Sequence, residues 1–133
     1  MNRLKGKIEA ISSHDELMLL EINTLDTKMK AIIIGQVNDY PYLNIGCDVM
    51  VLFKETEVVI SKGKELKISL QNNLTCTITS IEKGELLSQV HLNFKDISLS
   101  SIITTKSVER LNLKPQDTVA ALIKTNELII SEC

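Results

Sequence analysis

The chain has 133 residues, a formal net charge of −2 and a pI near 5.7; 44% of its residues are hydrophobic but only 3% are aromatic. This balance supplies neither the basic face that nucleic-acid phosphates demand nor a tryptophan to stack against bases, so no nucleic-acid partner is expected. The opening run MNRLKGKIEA lacks the apolar core of a signal peptide, and no stretch approaches the ~20 apolar residues of a membrane span, so a cytoplasmic protein without a membrane partner is expected.

Residues 2–61 lie over residues 72–131 at a constant offset of 70 without a gap, and 16 of the 60 aligned pairs are identical. Unrelated stretches would match at about one position in fifteen. The identities run from Asn2/Asn72, Leu4/Leu74 and Ile8/Ile78 to Leu52/Leu122, Lys54/Lys124, Glu57/Glu127 and Ile60/Ile130. The chain is a tandem duplication, with domains expected at 1–63 and 66–133 and a short polar linker at 61–65. Units of about 65 residues are near the lower limit for an independent core, so each should borrow burial from its twin or from another chain.

In the first unit Leu4, Gly6, Ile8 and Ala10 alternate with Lys5, Lys7 and Glu9, the period-two pattern of a half-buried strand. Met18, Leu20 and Ile22 continue it; runs at 31–34 and 49–53 follow, and after Glu55, Thr56 and Glu57 a short fifth run spans 58–60. Between the third and fourth runs Pro41 restricts any helix to something short or irregular. The second unit repeats the order at 74–81, 86–92, 99–104, 118–123 and 128–130. Its segment 107–111 offers Ser107 to cap a first turn, with Pro115 to stop continuation. The expected fold class is all-β: two tandem five-stranded barrels of the oligonucleotide/oligosaccharide-binding (OB) type, each with one short helix or helical turn between strands 3 and 4.

No GxxxxGK[ST] loop, GxSxG elbow, HExxH or CxxC occurs, so the chain reads as a binding protein and not an enzyme. Cys47, Cys76 and Cys133 are odd in number and unrelated under the offset, as are His14 and His91; neither a disulfide framework nor a metal site is expected. The informative cluster is a set of donors in the second unit. Ser69 precedes the first strand, Ser100 and Ser101 open the third, Thr104, Thr105 and Ser107 lead into the helix, and Lys124 with Thr125 ends the fourth. A fully deprotonated tetrahedral dianion only accepts hydrogen bonds, so its pocket needs donors and excludes carboxylates. Charge-assisted bonds of this kind contribute roughly 1.5–3 kcal/mol each, against about 1 for neutral ones. The same residue types also serve structure, since serine and threonine satisfy backbone groups at strand ends and a terminal lysine keeps a strand edge soluble.

Four stretches of the second unit, taken in order, resemble one family. Residues 68–74 (ISLQNNL) are similar to the opening ISARNQL of the molbindins, the small Mop or TOBE-type domains that bind molybdate and tungstate. Residues 100–111 (SSIITTKSVERL) resemble their TSIIT…SVEEL segment, 113–119 (LKPQDTV) resembles LKxGDxV, and 120–128 (AALIKTNEL) resembles TAVIKATEVM. In the first unit 4–8 (LKGKI) is close to LKGKV, and 51–58 (VLFKETEV) matches the last motif.

The resemblance implies a di-domain protein that binds and stores molybdate or tungstate, with no covalent cofactor, at interfaces between domains and subunits of a homo-oligomer, a trimer by analogy. It implies an oxyanion-binding set of Ser69, Gln71, Asn72, Ser100, Ser101, Lys124 and Thr125, with Lys54 added across an interface. Gln71 takes the place of the family's arginine, which removes a positive charge. In the first unit Lys30 and Ala31 replace the hydroxyl pair and Glu55 stands beside Lys54, so the pocket is expected to come from the second unit, with the first mainly structural. The alternative is a free-standing TOBE-type sensing or interaction subunit of a molybdate transporter or regulator.

Overall fold

The computed structural model describes residues 1–63 and 66–133; Lys64 and Glu65 of the expected linker lie outside the described residues. The first repeat supplies β1 (Asn2–His14), β2 (Leu17–Thr24), β3 (Thr27–Ile34), β4 (Asp48–Phe53) and β5 (Val59–Ser61). The second supplies β6 (Asn72–Lys83), β7 (Leu87–Phe94), β8 (Ile97–Thr104), β9 (Thr118–Ile123) and β10 (Ile129–Glu132). The all-β expectation holds, and most strands run beyond the apolar stretch that announces them.

A helix, α1 (Thr105–Arg110), lies between β8 and β9, and a single 3₁₀ turn, Val37–Asp39, holds the same place in the first repeat. The cap is not the one expected. Thr104 precedes the first turn and its hydroxyl accepts from the Ser107 N–H at 3.2 Å, so Ser107 sits inside the helix instead of ahead of it.

The sheets interleave the two repeats. Their strand orders are β10-β4-β1-β2-β3 and β5-β9-β6-β7-β8. Ile129 to Glu132 run antiparallel along Val49 to Leu52, and Val59 to Ser61 along Ala120 to Leu122. Each five-stranded sheet is therefore completed by the fifth strand of the other repeat. The division at residues 63 and 66 separates the repeats in sequence but not the sheets in space. This exchange is how each short unit borrows burial: one apolar core extends from Leu4, Ile8 and Phe53 to Leu74, Phe94 and Ile123, and takes in Val58 and Leu128 beside the exchanged strands.

Buried Leu4, Gly6 and Ile8 alternate with exposed Arg3, Lys5 and Lys7 in β1, and Leu74, Cys76 and Ile78 repeat the pattern in β6. Both long strands shift register at the same point, between Ile8 and Ala10 and between Ile78 and Ser80. A bulge bends a strand, so the first half of β1 pairs with β4 and the second half with β2, which curls the sheet towards closure. At Gly6 an added Cβ would stand 2.5 Å from Ile22 Cγ2 and 2.9 Å from Thr24 Oγ1, so the first repeat has no room for the side chain that Cys76 places there in the second.

Candidate functional site

Two side-chain clamps join the repeats. Asn72, at the start of β6, brackets the backbone of Lys30 on edge strand β3: the Lys30 N–H donates to its Oδ1 at 2.7 Å and its Nδ2 donates to the Lys30 carbonyl at 2.9 Å. Asn2, at the start of β1, holds Ser100 on β8 in the same way, with both bonds at 2.8 Å. Asn2 and Asn72 correspond under the offset of 70, and so do Lys30 and Ser100. A carboxamide carries the same donor and acceptor as a peptide, so each asparagine satisfies the outward N–H and C=O of an edge strand as a further strand would. Both are buried, Asn2 at 5% and Asn72 at 0% exposure.

The clamps decide which candidate residues meet. Asn2 pairs with Phe53 and Asn72 with Ile123. The residues that follow, Lys54 and Lys124, open the 3₁₀ turns Glu55–Glu57 and Thr125–Glu127. Strand β8 packs on the first of these turns and β3 on the second. Two equivalent seams result. One gathers Asn2, Ser100, Ser101, Lys54 and Glu55; the other gathers Gln71, Asn72, Lys30, Ala31, Lys124 and Thr125.

Within one chain the second-repeat candidates do not all converge on one place. Ser100 and Ser101 stand with Lys54, whereas Gln71, Asn72, Lys124 and Thr125 stand with Lys30. The physical reason is the sheet order: β8 and β9 are separated by β6 and β7, so the hydroxyl pair and Lys124 lie on distant strands of one sheet, and each faces the opposite repeat. Ser69 is exposed in the segment leading to β6.

Several of these groups are already engaged. Ser101 is fully buried and donates to the Val58 carbonyl at 2.8 Å, pinning β8 to the first-repeat chain just before β5. Asn72 commits its oxygen and one N–H to Lys30. Thr105 donates to the Gly84 carbonyl at 2.8 Å and bonds Ser88 Oγ at 2.8 Å, while Thr104 and Ser107 serve the helix cap. Those three hydroxyls belong to the start of α1. Ser100 Oγ is half-buried and accepts from Gln89 Nε2 at 3.4 Å, which leaves its own proton to donate. Lys54 and Lys124 are exposed and Thr125 is half-buried. The Glu55 carboxylate takes the Met1 amine at 2.7 Å, and that hydrogen bond holds its carboxyl below the ordinary glutamate range.

Lys30 belongs to the first repeat, and its backbone is held by Asn72 of the second. It stands where the second unit has the hydroxyl of Ser100, and its strand lies against the turn that Lys124 opens. The shared asparagines at 2 and 72 were the available signal, but an identity does not state what a side chain holds. The three cysteines are free thiols, and burial pushes the Cys76 thiol up to about 12, so it is inert. Among the described residues no group of three or more metal-ligating side chains occurs.

Interleaved β-barrels in duplicate, with paired seams of lysine, amide and hydroxyl, define a small all-β tandem binding module. Residues 68–130 match the TOBE domain model, and the duplication extends the same unit to the first repeat. The second repeat is thus a TOBE domain. Its fold is that of ModG, a cytoplasmic molybdate-binding protein solved with molybdate bound: the TM-score is 0.92 at 24% identity, over 99% of this chain and 96% of that one. A molybdate-binding protein from Sporomusa ovata is 39% identical over 44% of this chain and 88% of its own, with a TM-score of 0.44. No curated protein sequence matches the chain. No helix among the described residues is long and apolar enough to cross a membrane.

Proposed function

We propose that the chain binds molybdate or tungstate as the intact oxyanion and stores it in the cytoplasm, at the seams between its repeats and between subunits of a homo-oligomer. It acts as a binding protein and not as an enzyme. The observation that carries this reading is the repeated seam: twice, an asparagine clamp sets a lysine-headed 3₁₀ turn beside an edge strand of the opposite repeat. Lysine amines, the Ser100 and Thr125 hydroxyls and the Gln71 amide are the donors a tetrahedral dianion needs. The fold shared with ModG, which is solved with molybdate, supports the ligand class.

Assembly has its own support. A cleft of about 230 Å³ lined by Ser12, Leu17, Leu19 and Ile32 recurs as one of about 390 Å³ lined by Glu82, Leu87, Gln89 and Ile102, the same positions shifted by 70. Leu17 and Leu87, identical under the offset, are 50% and 57% exposed there. Apolar surface at equivalent positions is what other copies would cover, and a homotrimer is the assembly we assign.

Isothermal titration with molybdate, tungstate, sulfate and phosphate, with the mass measured in the same buffer, tests the proposal. The expected result is saturable binding of molybdate and tungstate by a trimer. Phosphate should be refused, because near neutral pH it carries a proton that a donor-only seam leaves unpaired. Binding of no oxyanion would overturn the proposal in favour of a TOBE-type sensing or interaction subunit.

A further inference from the structure

We infer that the outer face of the first-repeat sheet collects the oxyanion electrostatically: a row of free cations runs from one seam to the other and raises the local concentration of a dianion at both. The inference rests on the oxyanion reading above and gives the first repeat a task that needs no contact with the bound ion. Arg3, Lys5 and Lys7 are exposed at alternate positions of β1, so their side chains leave one face of the sheet at steps of about 6.7 Å. Lys7 stands opposite Asn23 on β2, and Asn23 opposite exposed Lys28 on β3, which puts Lys28 on the same face about 10 Å further on. The ends of the row lie beside the clamps. Arg3 follows Asn2, which holds Ser100, and Lys28 stands two residues before Lys30, whose backbone Asn72 holds.

Among the described residues none of these four cations enters an ion pair. Strands β1, β2 and β4 carry Glu9, Glu21 and Asp48 on the same side. Glu21 is paired with Lys30, and Glu55 with the Met1 amine, so those pairs add no charge. Glu9 and Asp48 offset two of the four cations, which leaves a net +2 on this face of a chain whose net charge is −2. The second repeat has the same strands and none of this charge: Arg3, Lys5, Lys7 and Lys28 become Asn73, Thr75, Thr77 and Ser98, and Glu9, Glu21 and Asp48 become Thr79, His91 and Thr118. Solubility of the strands therefore does not require the lysines, since hydroxyl and amide side chains serve the twin. Four cations interrupted by two carboxylates are a poor match to the continuous charge of a nucleic acid, and suit a small dianion. At physiological salt a charge is felt over about 8 Å, more than one step of the row, so Arg3 and Lys28 act on the seams beside them; in dilute salt the whole row acts.

Isothermal titration of the full chain with tungstate in about 0.01 M and about 1 M salt tests the inference, because the screening length falls from about 30 Å to about 3 Å between them. Lys5→Thr, Lys7→Thr and Lys28→Ser, combined, install the residues of the second repeat on exposed positions and leave both clamps and both turn lysines in place. A urea midpoint and the mass in the same buffer confirm fold and assembly. A control variant removes three cations from exposed positions on and after α1: Lys106→Gln, Arg110→Gln and Lys114→Gln. In dilute salt the face variant should bind tungstate about fivefold more weakly than the wild type, and in concentrated salt equally well. The control should lose less than about twofold in either. Equal affinities in dilute salt, an equal loss in the control, or a loss that persists in concentrated salt would overturn the collecting role while leaving the oxyanion reading intact. A wild-type chain that binds no tungstate in either salt would overturn both.

Discussion

Asn2 and Asn72 each bracket one peptide of the opposite repeat, Ser100 at 2.8 and 2.8 Å and Lys30 at 2.7 and 2.9 Å, across 98 and 42 residues of chain. The internal pseudo-twofold is thus built from side chain to backbone. Because the clamps grip backbone, the residues at positions 30 and 100 can diverge, as lysine and serine, without loosening the seams.

Truncating either clamp should be costly. Asn72→Ala leaves the N–H and carbonyl of Lys30 without partners in a part-buried seam, and a destabilisation of about 2–4 kcal/mol is expected from two lost bonds and their desolvation. Asn2→Ala should behave alike. Urea unfolding measures both, and a shift below about 0.5 kcal/mol in either variant would show that the clamp does not hold the repeats together.

Ser101 has a structural task that Ala31, its equivalent, lacks. Its hydroxyl is the donor to the Val58 carbonyl at 2.8 Å, in a fully buried position. Ser101→Ala is expected to lower stability by about 1–2 kcal/mol. An unchanged unfolding midpoint would mean that the carbonyl finds another donor.

Lys62 anchors the chain after β5 to the end of α1. Its amine donates to the Asn112 carbonyl at 2.9 Å and pairs with Asp117 at 3.1 Å. The Lys62 hydrogen bond, with a second from the Lys114 N–H, holds the Asp117 carboxyl below its ordinary 3.8. A depressed carboxylate contributes stability that is present above the unfolded value and is lost as pH falls through the folded one. The stability gap between the wild type and Lys62→Met should therefore be full near neutrality and narrow as pH drops below about 4. Urea midpoints across that range report it; a gap independent of pH would remove the ion pair from the account.

Burial that lifts the Cys76 thiol to about 12, from an ordinary 9.0, makes two outcomes expected. At mildly alkaline pH a thiol reagent should label exposed Cys133 at once and Cys76 only after unfolding. Stability should be full below about pH 9 and decline above it, because the unfolded thiol ionises first. Rapid labelling of Cys76 in the native protein would contradict its placement in the core.

The sequence by itself determined the duplication, the strands and the class of donor. Leu4 to Ile8 and Leu74 to Ile78 announce half-buried strands because the period-two pattern is local, and Pro41 against a second repeat free of proline until Pro115 separates a 3₁₀ turn from a helix for reasons equally local, although the cap is Thr104 and not Ser107. The pairing of β5 and β10 was not legible. Strands of three and four residues carry too little pattern to choose between β4 and β9, which share Leu52/Leu122 and Val49/Val119, and the exchange is settled by burial of Val58 and Leu128 against the twin. The site divides in the same way. Lysines and hydroxyls were visible as residue types, but only the tertiary structure decided that β8, with Ser100, packs on the turn that Lys54 opens and β3, with Lys30, on the turn that Lys124 opens, because those neighbours are set by contacts between edge strands and asparagines far apart in the chain.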